Sequence, residues 1–307
     1  MKIVVAGGTG FIGIPLIQNL TAKKHEVIVL TRNPEAIRSA NQLSVNFAKW
    51  DGRSLSDWTK QIDGADAVIN LAGEPIGDKR WTKFQKGWIL NSRIDATRII
   101  VEAIKQAQVK PSALINGSAV GYYGDVPNGD VDESHPRGKG FLADVCGMWE
   151  DEALIAAESG VRTVMIRTGI VLEQNGGALK RMLSAFKMYT GGTPGSGKQW
   201  VPWIHRYDIV RAIEFILAND KLSGPVNLTA PNPVTMSQFS AAIGKILNRP
   251  LWAPIPAFVI KAALGEMAEM ILTGQKAIPD KLLKAGFVFY FANVDEALRT
   301  ILNAKEN

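Results

Sequence analysis

Residues 7–13, Gly7-Gly8-Thr9-Gly10-Phe11-Ile12-Gly13, stand between the apolar run KIVVA and a stretch patterned as a helix. Glycines there permit a tight turn, bring backbone amides close to a pyrophosphate and let the helix pack hard on the strand. The positive end of the helix then faces the phosphates. A second apolar run, EVIVL, follows where a βαβ unit requires it. Motif and context together specify dinucleotide binding, with Gly7, Thr9, Gly10, Phe11, Ile12 and Gly13 as contacts.

The end of the second run selects the cofactor. An acid there would bind an adenosine ribose 2′-hydroxyl, as NAD prefers. The sequence has Thr31-Arg32-Asn33 instead. An arginine pairs with a 2′-phosphate and stacks on adenine, which favours NADP(H) over NAD(H). Two further strand ends belong to the same crevice. Trp50-Asp51 flanks adenine or merely turns the chain, and Leu71-Ala72-Gly73 lets the cofactor pass close to small residues.

The elements that must position these residues alternate strand and helix. KIVVAG, a helix from about Ile12 to Lys23, HEVIVL, ADAVINLAG, a long helix ending near Gln108, SALINGSA, a helix around Met148 to Ser159 and RTVMIRTGIVL succeed one another. Such alternation predicts parallel pairing through right-handed crossovers, hence an α/β, doubly wound parallel sheet. Residues 174–200 contain the Gly/Pro-rich stretch TGGTPGSGK, which reads as a loop. RYDIVRAIEFILAND reads as a helix, GPVNLTA as a further strand, and AFVIKAALGEMAEMILTG as one amphipathic helix. The tail from about Pro233 reads as helical with proline turns (RPLWAPIPAF). The expected division is a nucleotide-binding domain over 1–172 with 203–230, and a small, mainly helical C-terminal substrate lobe over 174–202 with 231–307.

Composition excludes several classes. The net charge of +6 is spread without a basic stripe, which argues against nucleic acid as partner. One cysteine, Cys146, rules out an internal disulfide and fits a reducing compartment, so a cytoplasmic location is expected. No signal peptide precedes the first motif, no apolar run is long enough for a membrane helix, and three scattered histidines give no metal-site spacing.

GGTGFIG, NLAG, GSAVGYYG and WVPWIHRYDIVRAI together resemble an extended short-chain dehydrogenase/reductase. More narrowly, NLAGEPI, RWT, NSRIDATR, SAVGYYG, VCGMWE, GSGKQWVPWIH and GEMAEMILTGQKAIPDKLLKAGF resemble an atypical epimerase-family branch with a characteristic C-terminal region. The resemblance implies a Rossmann domain with a small C-terminal lobe. It also implies a serine, a tyrosine and a lysine four residues after that tyrosine. Tyrosine moves the proton, lysine lowers its pKa and holds the nicotinamide ribose, and serine orients the substrate carbonyl. Ser118 fits the serine role and also lies on the cofactor. The helix from about residue 141 carries Phe141, Leu142, Val145 and Cys146, so the tyrosine–lysine pair is missing.

Tyr123 is then the catalytic candidate and Tyr122 a substrate contact, although without a lysine to lower a phenol's pKa of about 10 packing is the favoured role. Glu74 with Arg80 and Arg93 reads as an ion-pair cluster that grips an acidic substrate or braces a loop. Trp203 and His205 form an aromatic substrate pocket or belong to the core; Asp208 caps the next helix or favours its positive end. Three functions stay open: an NADP(H)-dependent oxidoreductase or epimerase-like enzyme acting on a small molecule, a redox-neutral enzyme that holds the cofactor structurally, and a non-catalytic NADP(H) sensor. A cell-division-inhibitor label on relatives of the branch implies the last. A homodimer or a regulatory protein partner is compatible with all three.

Overall fold

Residues 1–35, 45–188, 191–251 and 254–303 are described in the computed structural model of the chain. Part of the polar stretch after the second strand, the first residue of TGGTPGSGK, and Trp252 and Ala253 of the proline-rich turn lie outside them.

The strands are β1 (Lys2–Ala6), β2 (Glu26–Thr31), β3 (Asn46–Lys49), β4 (Ala67–Asn70), β5 (Ala113–Ala119), β6 (Val126–Val131), β7 (Arg162–Thr168), β8 (Ile170–Leu172), β9 (Trp200–Val201), β10 (Trp203–His205), β11 (Gly224–Leu228), β12 (Val234–Thr235) and β13 (Gln275–Ala277). The helices are α1 (Gly13–Ala22), α2 (Lys83–Gln106), α3 (Phe141–Leu154), α4 (Gly177–Lys187), α5 (Arg206–Ala218), α6 (Met236–Leu247), α7 (Ala257–Leu264), α8 (Glu269–Leu272), α9 (Asp280–Lys284) and α10 (Val294–Asn303).

Seven strands form one sheet in the order β11-β7-β5-β4-β1-β2-β3, and every neighbouring pair is parallel. Runs such as Ile3–Ala6 and Ala67–Asn70 are buried throughout because helices cover both faces, which is why they read as continuous rather than alternating apolar stretches. The chain crosses from β1 outward to β2 and β3, then returns to β4 on the other side of β1. The gap at the carboxyl ends of β1 and β4 is therefore the topological switch point, where open α/β sheets bind ligands. GPVNLTA supplies β11, as the sequence suggests.

A separate apolar core lies beyond the sheet, built from Leu172, Leu179, Phe186, Trp203, Phe239 and Leu298 among others. Three sequence expectations are corrected around it. RTVMIRTGIVL is two strands, because the chain leaves the main sheet at Gly169 and β8 pairs with β10 instead. A Cβ at Gly169 would collide with the Pro202 carbonyl oxygen, so glycine is what lets β10 approach. Ahead of TGGTPGSGK lies α4, a helix unassigned from the sequence, whose buried Leu179, Leu183 and Phe186 recur at helical spacing. AFVIKAALGEMAEMILTG breaks at Gly265, whose φ of 61° ends α7; a 3₁₀ turn then leads into α8. The helix expected near 148–159 begins earlier, at Phe141, and passes into a 3₁₀ turn at Ile155–Ser159.

One buried carboxylate fastens the C-terminal region to the sheet domain. Asp208, in the first turn of α5, is fully buried. Its oxygens accept the backbone N–H of Tyr290 at 2.9 Å and of Phe291 at 2.8 Å, and Arg211 Nη1 donates to it at 3.0 Å. It therefore does more than favour the positive helix end. Asp208→Ala strands two backbone donors and should cost about 3 kcal/mol of stability in urea denaturation, with Asp208→Asn closer to the parent.

Candidate functional site

Gly7 has φ 73°, a conformation only glycine adopts without strain, and Gly10 N donates to its carbonyl at 3.1 Å. A Cβ on Gly13 would strike the Gly7 carbonyl oxygen, so the absence of a side chain lets α1 start tight against the loop. A Cβ on Gly7 would stand 2.6 Å from the Leu71 carbonyl oxygen; the glycine loop and the Leu71-Ala72-Gly73 turn are thus in van der Waals contact across the switch point. No side chain caps α1 and its first turn holds no acid, so its own first turn leaves the positive helix end open. A pyrophosphate fits this cradle. Phe11 lies over Gly176 and Gly177 at the start of α4, and Thr9, Gly10 and Ile12 keep access to solvent.

Thr31 is buried at the end of β2 and Arg32 follows it, exposed, on the same edge of the sheet. Asp51 closes its own turn: its Oδ1 accepts from Arg53 N at 2.8 Å and Ser54 N at 2.9 Å, which holds its pKa below the usual range. Trp50 is buried edge-on against Trp58. The turn reading of Asp51 accounts for its hydrogen bonds. Behind the 71–73 turn, Asn70 Nδ2 donates to Thr97 Oγ1 (3.0 Å) and Asn116 Oδ1 (2.7 Å), while Asn70 Oδ1 accepts from Ala72 N (3.1 Å). That buried net fixes the turn's shape.

Ser118, at the end of β5, is buried and donates to Glu150 Oε1 at 2.5 Å. Glu150, on α3, is gripped on both oxygens by Arg167 of β7, through Nε at 2.9 Å and Nη2 at 2.8 Å. Burial works against the Arg167 charge, but the Glu150 hydrogen bonds and charge outweigh it and raise the Arg167 pKa. Arg167 Nη1 reaches the Tyr123 hydroxyl at 3.0 Å, and that hydroxyl donates to Asn227 Oδ1 at 2.7 Å. Sequence reasoning missed Glu150, Arg167 and Asn227. The signal was available: an arginine inside the apolar run RTVMIRT has to be paired if that strand is central.

Tyr123 is held inside the same network. Its ring is 1% exposed, its hydroxyl donates to Asn227 and accepts from Arg167, and burial pushes its pKa up to about 12. Tyr122 stacks on the Arg167 guanidinium, whose Cζ lies 3.5 Å from the ring centre. Where the tyrosine–lysine pair was expected, Phe141, Leu142 and Val145 instead pack with Ile76, Trp81, Leu264, Met267 and Met270. Cys146 is buried beside Ser118 and Arg93, and burial, with the Glu150 charge, pushes its thiol up to about 11.

A family model described as the NAD dependent epimerase/dehydratase family matches residues 3–228. The chain belongs to that family. A second model, a domain of unknown function called DUF1731, matches residues 255–301. The family's "Epimerase family protein SDR39U1 homolog, chloroplastic" from Arabidopsis thaliana is 42% identical over 98% of this chain and 87% of its own length. "Epimerase family protein YfhF" from Bacillus subtilis is 38% identical over 98% of both chains. Among solved structures, human epimerase family protein SDR39U1 with NADPH superposes with a TM-score of 0.89 at 33% identity, over 99% of this chain and 100% of that one. A Bacillus cereus UDP-glucuronic acid 4-epimerase with NAD and UDP-glucuronic acid, at 18% identity and a TM-score of 0.78, shares the fold.

The remaining candidate residues divide between surface and core. Glu74 is half-buried at an open concavity of about 510 Å³ that Arg80 and Trp88 also line. The ion-pair cluster expected of Glu74, Arg80 and Arg93 does not form: Glu74 pairs with Lys79 at 3.9 Å, Arg80 donates to the Ala263 carbonyl, and Arg93 donates to the Glu74 carbonyl rather than its carboxylate. Trp203 is fully buried, with Nε1 donating to the Asn232 carbonyl at 3.1 Å, which corrects its expected place in a substrate pocket. His205 caps α5, accepting from Tyr207 N on Nδ1 at 3.0 Å, and its ring lies 3.9 Å from that of Phe291. Among the described residues no cluster suits a metal ion, and no helix is long and apolar enough to cross a membrane.

Two outcomes follow from these contacts. Burial lowers the His205 pKa from 6.5 to about 4, so the folded state favours the neutral ring, as its accepting role demands. The stabilisation is complete above pH 6.5 and drains away as pH falls towards 4; His205→Gln should flatten that part of a stability-against-pH curve. Removing Arg167 leaves a buried carboxylate unpaired. Arg167→Met should cost about 3–5 kcal/mol, and adding Glu150→Leu should return most of it, read by chemical denaturation.

Proposed function

We propose that the protein binds NADP(H) along the carboxyl ends of β1, β2, β4 and β5, and works as an oxidoreductase or epimerase-like enzyme on a small molecule without the tyrosine–lysine pair. The observation that carries the cofactor choice is Arg32 at the end of β2, where no acid stands to bind a ribose 2′-hydroxyl. The relative solved with NADPH supports it. In this reading the Gly7–Gly13 loop and α1 hold the pyrophosphate, Arg32 pairs with the 2′-phosphate, and the 71–73 turn guides the cofactor towards Ser118. NADPH, when bound, supplies a hydride from nicotinamide C4. Ser118 has its proton directed to Glu150, so towards the crevice it acts as a hydrogen-bond acceptor.

Arg32→Glu places a like charge against the 2′-phosphate. It should weaken NADPH binding about 100-fold while changing NADH binding less than about threefold, measured by calorimetry. Equal losses for both cofactors would overturn the assignment.

A further inference from the structure

Arg167, Arg98 and Arg93 use their guanidinium edges differently. Arg167 and Arg98 each grip a glutamate through the Nε–Nη2 edge: Arg167 holds Glu150, and Arg98 holds Glu152 at 3.1 and 3.0 Å. That edge presents two parallel N–H donors matched to the two oxygens of a carboxylate. Arg93, on α2, is committed on its other side only. Its Nη1 donates to the carbonyls of Glu74 (3.0 Å) and Ile89 (2.9 Å). Among the described residues its Nε and Nη2 have no acceptor, and neither is sealed from solvent.

The location gives this edge its meaning. A Cβ on Gly73 would lie 3.0 Å from Arg93 Cζ and 3.3 Å from Nε, so the guanidinium sits directly behind the turn that approaches the glycine loop. Its Cζ lies 5.0 Å from the Trp149 ring centre, and Cys146 links it to Ser118. Burial disfavours the isolated Arg93 charge, which an anion alongside would offset. Ser118 cannot donate to that anion, because its proton is given to Glu150. Arg93 keeps two donors at this end of the crevice that no described residue engages.

We propose that Arg93 binds a carboxylate of the substrate through its Nε–Nη2 edge, beside Ser118. The Nη1 side holds the 74 loop; the opposite edge selects carboxylate-bearing substrates over neutral ones. This rests on the reading of the crevice as the place where cofactor and substrate meet.

The test is ¹⁵Nε NMR of the arginine side chains in the full chain, with and without NADPH, NADPH binding being measured separately by calorimetry. Acetate, pyruvate and benzoate are titrated against acetamide, pyruvamide and benzamide, with chloride at matched ionic strength. The Arg93 resonance is assigned by its loss in Arg93→Lys. At least one carboxylate should shift it saturably, with its amide at least tenfold weaker and chloride inert. Arg93→Lys, which keeps the charge, should bind NADPH within about twofold of the parent and lose the carboxylate preference, as read by calorimetry with the same probe. No shift with any carboxylate, or equal shifts with amides or chloride, overturns the proposal. Failure of NADPH to bind while Arg93 responds to carboxylates would instead count against the cofactor reading.

Discussion

The pairing of Glu150 with Arg167 is the contact on which the site's geometry depends. Two opposite charges are almost wholly buried at 2.8 Å, one on α3 and one on β7. Neither is tolerable alone, so each fixes the other and whatever else it touches. Through Glu150 the pair sets the orientation of the Ser118 hydroxyl. Through Arg167 it reaches the Tyr123 hydroxyl and the Glu133 carbonyl. Tyr123 passes the constraint to Asn227 on β11, and Glu133, whose pKa burial raises, accepts from the backbone of Asn227 and of Lys281 on α9. A continuous polar chain thus runs from the candidate site to the C-terminal region.

That chain explains why the fold was more legible than the site. Glycine spacing and strand–helix alternation are local properties, and they gave the parallel sheet and the order of its strand ends. Glu150, Arg167 and Asn227 are far apart in sequence and meet only across α3, β7 and β11. Their meaning comes from tertiary packing, which periodicity does not encode. The aromatic residues were ambiguous for the same reason. Trp203 and Tyr123 carry polar atoms that suggest a pocket, yet each has one buried partner that makes it a core residue with a satisfied group. Gly169 and Gly265 were visible as glycines, but the neighbour or backbone angle each one serves was not.

The missing tyrosine and lysine have a packing counterpart. Phe141, Leu142 and Val145 face Leu264, Met267 and Met270 from the DUF1731 region, with Trp81 and Ile76 closing the cluster. A phenol and an ammonium at these positions would put polar groups into an apolar contact. The C-terminal region and the altered helix face are therefore parts of one arrangement.

The pairing of β13 with β6 has a consequence for the order of assembly. The two strands lie about 150 residues apart, and the Gly274 amide reaches the Asp125 carboxylate across 149 positions. Loop closure on that scale is entropically slow, whereas the β1–β5 units form from near neighbours. During synthesis the nucleotide half is available to fold well before its last strand emerges. Glu133 then waits for the Lys281 amide and the polar chain has an open end. The polar chain that begins at Ser118 is thus completed only when the C-terminal region docks.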